Sequence, residues 1–118
     1  MTYVTGYLLA VPNENREAYL AFAQKAGPVF KKHGATRVVE CWGVDVPDGK
    51  VTSFPMATKA KEGESVLFSW MEWPSKEAAD EGVKNAMSDP AFSDDDAASM
   101  PFDGMRMMWG GFETIYDV

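Results

Sequence analysis

Four stretches of this chain alternate like β-strands, but only two have the spacing of an amphipathic helix. The order is strand, helix, strand, strand, helix, strand, with a further extended arm between the second and third strands. Two helices can cover one face of a four-stranded sheet and leave the other bare. The pattern therefore predicts an α+β fold of the ferredoxin-like, split β-α-β kind, an antiparallel sheet with both helices on one face. The 118 residues fit one such domain, spanning 1–118.

The individual signals are local. Residues 2–11 (TYVTGYLLAV) are rich in β-branched and aromatic types, and Pro12 closes them. Asn13 offers an N-cap, and Tyr19, Phe22, Ala23, Ala26 and Phe30 recur at helical spacing up to Gly34. Pro28 lies inside that stretch and is expected to kink or split it. Residues 35–46 read as the second strand and 51–60 as an extended arm that turns back at 61–64 as a hairpin. Residues 65–73 (SVLFSWMEW) read as the third main strand. Ser75 caps a second helix bearing Ala79, Val83, Ala86 and Met87, and Asp89-Pro90 stops it. Residues 105–116 form the last strand, where Gly110-Gly111 suggests a bulge or a close backbone approach.

The bare face requires a partner. Gly6, Leu8, Ala10, Val39, Cys41, Gly43, Met108 and Gly110 suit close packing under helices. Tyr7, Trp42, Phe68, Trp70 and Trp109 are assigned to the opposite face, as a dimer interface or pocket. An aromatic patch of that size seldom faces water, and a second copy of the sheet, related by a two-fold axis, would cover it. Glu40 and Glu72 are expected on the same aromatic face. They either pair at its rim or across the interface, or stand in an apolar cavity with raised pKa values suited to acid–base work.

Charge narrows the partners. Eleven Lys and Arg against eighteen Asp and Glu leave a net charge of −7, which argues against nucleic acid and anionic membranes. No apolar run approaches the ~20 residues of a membrane span. A lone cysteine, Cys41, excludes an intramolecular disulfide and is read as a buried core thiol. With no secretory leader visible, the expected setting is the cytoplasm.

Candidate chemistry is sparse. His33 is the only histidine and sits where a helix C-terminus would hold it. One His and one Cys cannot make a usual structural zinc site, so no metal is expected. The run Asp94-Asp95-Asp96 lacks the spacing of a calcium loop and reads as a solvated acidic loop. No phosphate loop or dinucleotide fingerprint is present, so no cofactor is expected. Asp103-Gly104 makes a turn that Asp103 can cap, and Arg106 can pair with a carboxylate. For a catalytic protein the polar set is Glu40, Glu72, Asp103, Arg106 and His33, with a glutamate as base and Arg106 as anion stabiliser.

Several segments carry a resemblance. They are Val38-Val39-Glu40-Cys41-Trp42, Asp45-Val46-Pro47-Asp48-Gly49-Lys50, Phe68-Ser69-Trp70, Trp73-Pro74-Ser75-Lys76, Met100-Pro101-Phe102-Asp103-Gly104, Arg106-Met107 and Gly110-Gly111-Phe112. Together they resemble the YbaA-like family of uncharacterised bacterial proteins (domain-of-unknown-function family 1428). The resemblance implies a dimeric α/β-barrel fold and no particular reaction. It leaves two expectations: a homodimer with a small molecule, as ligand or as substrate of a cofactor-independent monooxygenase or isomerase, in an apolar pocket beside the sheet; or a non-catalytic, stress-related interaction module.

Overall fold

A computed structural model of the chain describes residues 2–92 and 100–118. The acidic run at 94–96 lies outside the described residues. Strands β1 (Tyr3–Pro12), β2 (Arg37–Trp42), β3 (Glu64–Trp73) and β4 (Met108–Glu113) form one antiparallel sheet in the order β2-β3-β1-β4. Helices α1 (Arg16–Lys32) and α3 (Lys76–Met87) carry the apolar side chains that pack on one of its faces. A short helix α2 (Phe54–Thr58) fills the connection between β2 and β3 and covers one end of the other face, where Phe54 meets Phe68 with ring centres 6.4 Å apart and Ala10, Val66 and Thr58 are buried. This is the ferredoxin-like α+β arrangement expected from the order of the signals.

The core lies between the sheet and the two long helices. One cluster gathers around Trp73, which has no exposed surface, with Phe30, Ala35, Met71, Ala79 and Ala86. The other joins Leu9, Val11 and Leu67 of the sheet to Tyr19 of α1. Trp73 also donates its indole N–H to the Thr5 hydroxyl at 3.2 Å, so its polar atom is satisfied where its ring is buried. Truncating it to alanine would cost about 3–5 kcal/mol. Gly82 lets α3 approach: a Cβ there would stand 2.3 Å from the Trp73 ring and 2.6 Å from the His33 carbonyl oxygen.

Local chemistry explains where elements begin and end. Ser75 accepts the Ala78 N–H at 3.1 Å and starts α3. Gly34, at φ 115°, takes the left-handed position past the end of α1. Pro28 does not split α1, which runs unbroken from Arg16 to Lys32. Asn13 does not cap it either. Residues Asn13–Asn15 form a 3-10 turn, and the Asn13 side-chain oxygen accepts the Ser65 hydroxyl.

Three strand boundaries are corrected. The expected arm at 51–60 contains α2, because Ser53 accepts the Met56 N–H at 3.2 Å and Pro55 suits a first helical turn. The second strand is Arg37–Trp42 rather than 35–46. The last is Met108–Glu113 rather than 105–116, since Gly104–Arg106 forms a 3-10 turn. Gly110-Gly111 makes no bulge. The register against β1 is uniform from Tyr3↔Glu113 to Leu8↔Met108. The close-approach alternative is what the glycines serve, because the Tyr3 ring lies where a Gly111 Cβ would project.

The register also corrects the assignment of faces. Alternation holds within each strand, and β1, β2 and β4 match one another as expected, but β3 is one residue out of phase with them, and the long helices pack on the Tyr7 side rather than the Gly6–Leu8 side. Leu8 pairs with Phe68 and Met108, and Gly6 with Trp70 and Gly110. Tyr7 pairs with Ser69 and Trp109, and Trp42 with Leu67. The bare face therefore carries Phe68 and Trp70 beside the small residues of β1 and β4. Tyr7, Trp42 and Trp109 fall on the helix side. Glu40, opposite Ser69, is on the helix side, whereas Glu72, opposite Arg37, is on the bare side, so the two glutamates do not share a face. Cys41, opposite Phe68, is exposed rather than buried.

Candidate functional site

The helix side of the sheet holds a cavity of about 260 Å³, at the small end for a ligand site. Its walls are almost wholly apolar. Phe22, Ala26 and Phe30 come from α1, Leu9 and Met71 from the sheet, and Phe102 and Met107 from the segment before β4. Phe102 packs edge-on to Phe22, with ring centres 5.8 Å apart, and lies 5.7 Å from the Tyr19 ring. Among the described residues, four polar side chains enter this lining: Tyr7, Tyr19, Glu40 and Ser69.

Glu40 and Tyr19 are the chemical centre. The Tyr19 hydroxyl donates to Glu40 Oε2 at 2.8 Å. Tyr19 is buried in the apolar stripe of α1, so its polar tip needs this acceptor. Glu40 itself is solvent-exposed on the outer strand β2. Loss of hydration nevertheless pushes its pKa up, while hydrogen bonds from Tyr19 and Ser69 pull the other way. Burial, then the adjacent Glu40 charge, pushes the Tyr19 phenol far above its ordinary range, and Tyr7 is raised chiefly by burial. The arrangement is a carboxylate whose ionised form is disfavoured, next to a phenol that stays protonated.

The other expected site residues fall in three separate places. Arg106 forks onto Glu64, Nη1 to Oε1 at 2.7 Å and Nη2 to Oε2 at 2.8 Å. It also reaches Asp103 at 3.0 Å and the Lys59 carbonyl at 2.9 Å. Asp103 caps the turn before β4 by accepting the Met105 N–H at 3.0 Å, as its position before Gly104 suggests. His33 lies at the end of α1, where its Nε2 is 2.7 Å from Asp89 Oδ2. Asp89 also accepts from Lys32 and the Ala91 N–H, and these bonds, the Ala91 N–H foremost, hold its carboxyl well below the usual range.

Glu72 is on the bare face, where Trp70 Nε1 donates to it at 3.0 Å and Arg37 approaches at 3.5 Å. That face forms a broad concavity of about 810 Å³, with Phe68, Trp70, Met108 and Phe112 among its lining. Trp109, opposite Tyr7 on the outer strand β4, is directed to the helix side and stays 74 % exposed. Trp42 packs instead on the Leu9–Leu67 cluster, with the Arg16 guanidinium 5.3 Å from its ring centre. Among the described residues, no three His, Cys, Asp or Glu side chains converge as metal ligands would. No described helix is long and apolar enough to cross a membrane.

Tyr19 and Ser69 are site residues that the sequence pattern does not mark. In the sequence Tyr19 is only one member of an apolar stripe. The usable signal was its hydroxyl, which a buried position obliges to find a partner.

Comparison with known proteins places the chain. Residues 2–104 match the family model described as "Protein of unknown function (DUF1428)". The chain belongs to this family. It is 56 % identical over 117 residues to the uncharacterised protein YbaA of Escherichia coli K12, covering 99 % of each, and equally to that of Shigella flexneri. Among solved structures it is similar to a dimeric ferredoxin-like protein from an uncultured marine organism, with TM-score 0.66, 9 % identity and full coverage of both chains. It is also similar to SnoaB, a cofactor-independent oxygenase from Streptomyces nogalater. That match has TM-score 0.59 and 16 % identity over 99 % of this chain and 96 % of the other. At these identities the structural likeness speaks for the ferredoxin-like fold alone.

Proposed function

We propose that this protein is a homodimer that binds a small, mostly apolar molecule in the helix-side cavity, through one hydrogen-bonding group that meets Glu40 and Tyr19. The observation that carries this reading is the Tyr19–Glu40 bond inside an otherwise apolar lining. Here a carboxylate with a raised pKa is held at the wall of a cavity, the usual setting of a group that takes up a ligand's proton. The ligand class is a neutral molecule with one acidic O–H or C–H and an apolar body.

Dimerisation rests on the bare face. Phe68 and Phe112 are 46 % and 61 % exposed there, and a second sheet packed face to face would bury them. The dimeric ferredoxin-like protein named above supports this by its fold. The exposed lone thiol Cys41 suits a reducing compartment such as the cytoplasm.

The same pair favours a second reading, a cofactor-independent enzyme in which Glu40 removes the substrate's proton and the Tyr19 hydroxyl steadies the developing anion. SnoaB, described as a cofactor-independent oxygenase, lends it support at the level of fold.

The test uses phenol and 2-naphthol as probes in a thermal-shift titration. A ligand at one hundred times its Kd adds about 2.7 kcal/mol to native stability. Probe-dependent stabilisation of the wild type, reduced in Glu40→Gln and Tyr19→Phe, is expected. Equal stabilisation of all three proteins, or of none, would overturn the site. Sedimentation of the wild type as a monomer at micromolar concentration would overturn the dimer.

A further inference from the structure

The cavity's wall is completed by a segment that nothing in regular structure holds. Met100, Phe102 and Met107 all line it, yet they come from the stretch leading into β4, which contains only the 3-10 turn Gly104–Arg106. A segment of this kind would ordinarily be among the least stable parts of a fold. It is pinned at both ends by side chains. At the near end, Asn15 Nδ2, just ahead of α1, donates to the Pro101 carbonyl at 2.9 Å. At the far end, Arg106 forks onto Glu64 at the start of β3, reaches back to Asp103, and donates to the carbonyl of Lys59 just past α2.

We propose that Arg106 is a positioning residue for the helix-side cavity, whose clamp on Glu64 and Asp103 fixes Met100, Phe102 and Met107 as its wall and so sets the size of molecule admitted. This rests on the reading of the cavity as a ligand site. Arg106 lines neither the cavity nor the bare-face concavity. It acts through Asp103, which caps the turn next to Phe102. Phe102 in turn packs on the Tyr19 ring whose hydroxyl holds Glu40. The linkage is a chain of contacts from the clamp to the polar centre.

The geometry says why arginine is needed. A planar guanidinium offers parallel donors to both oxygens of one carboxylate and still has Nε for a second. Lysine would keep the charge and lose the fork. The side chains of Glu64 and Arg106 are only 8 % and 14 % exposed, so removing Arg106 alone would leave a nearly buried carboxylate without its main partner. The paired change Glu64→Gln with Arg106→Gln avoids that artefact.

The experiment measures affinities of phenol and 2-naphthol by calorimetry in the wild type, Arg106→Lys and the paired variant. It is accompanied by methyl spectra of 13C-methionine-labelled protein without ligand. The wild type should prefer one probe, and loosening the wall should reduce that preference about tenfold in the paired variant, the scale of one misfitted group in an apolar pocket. Arg106→Lys should lie between. The methyl resonances of Met100 and Met107 should move further than that of Met105, which is 93 % exposed. A merely structural clamp would weaken both probes by the same factor. An unchanged ratio, or unmoved Met100 and Met107 resonances, would overturn the proposal while leaving the ligand site standing. Failure of the wild type to bind either probe would overturn both.

Discussion

Replacing Tyr19 by phenylalanine removes one oxygen and keeps the ring that packs on Phe22 and Phe102. What is lost is a donor 2.8 Å from the Glu40 carboxylate. A hydrogen bond to a charged group contributes about 1.5–3 kcal/mol. Glu40 is solvent-exposed, which brings the value down to about 1 kcal/mol. For a chain of this length each kcal/mol corresponds to about 4 °C in Tm, giving a loss of about 4 °C where Glu40 is ionised.

The pH dependence carries more information than the loss itself. Glu40 has a folded-state pKa raised above its unfolded value. The native state therefore binds the extra proton, and stability falls as pH rises from the unfolded value through the folded one. Removing Tyr19's bond to the carboxylate raises the folded pKa further, so the Tyr19→Phe penalty should be small in acid and reach its full size above the Glu40 titration. The assay is thermal melting of both proteins from pH 4 to pH 9, with the Glu40 side-chain carboxyl followed by carbon NMR. A penalty independent of pH, or a Glu40 that titrates in the ordinary glutamate range and ignores the substitution, would refute the reasoning.

Other perturbations probe the surrounding structure. The Arg106 guanidinium holds Glu64 down to about 2, so its contribution is present above pH 4.5 and lost as pH falls toward 2; Glu64→Gln should flatten that limb of an acid-denaturation curve. Gly82→Ala forces a methyl into the Trp73 ring and the His33 carbonyl and should destabilise by about 1–3 kcal/mol in urea melts. Trp70→Asp on the bare face should shift sedimentation from dimer to monomer, with far-UV circular dichroism unchanged. Asp89→Asn removes the charge that Lys32 and His33 meet, and should lower Tm at neutral pH more than at pH 3.

Much of the fold was legible because its signals are local. Ser75 before an apolar-periodic stretch, Gly34 after one and alternation in residues 65–73 each act within a few residues. The arm at 51–60 was misread although Ser53 and Pro55 carried a helix start, because a five-residue helix shows too little periodicity to outweigh the β-branched residues before it. Cys41 differs from its expectation for another reason. Its neighbours along β2 resemble a core strand, but β2 is an outer strand and Cys41 faces the side without the long helices.

The candidate site was half legible. Glu40 stood out as a carboxylate inside an apolar strand, whereas its phenol partner looked like one more ring in a helical stripe. Asp103 is legible as a turn cap and Arg106 as the partner of a carboxylate, but which carboxylate is not. The structure joins them to each other and to Glu64, 42 residues earlier in the chain, a contact that no spacing announces.

By itself the sequence determined that four strands and two long helices leave one face of a sheet without a long helix over it, because that follows from counting amphipathic surfaces; the short helix α2 covers one end of that face. Only the tertiary structure decided which aromatic residues lie on that face. A strand's own alternation defines two sides but does not say which of them matches a side of its neighbour. Inter-strand hydrogen bonds settle that, and a shift of one residue exchanges the faces. This is why Glu40 and Glu72, each correctly seen as a carboxylate among apolar neighbours, stand on opposite sides of the sheet, one at the cavity with Tyr19 and the other on the bare face with Trp70.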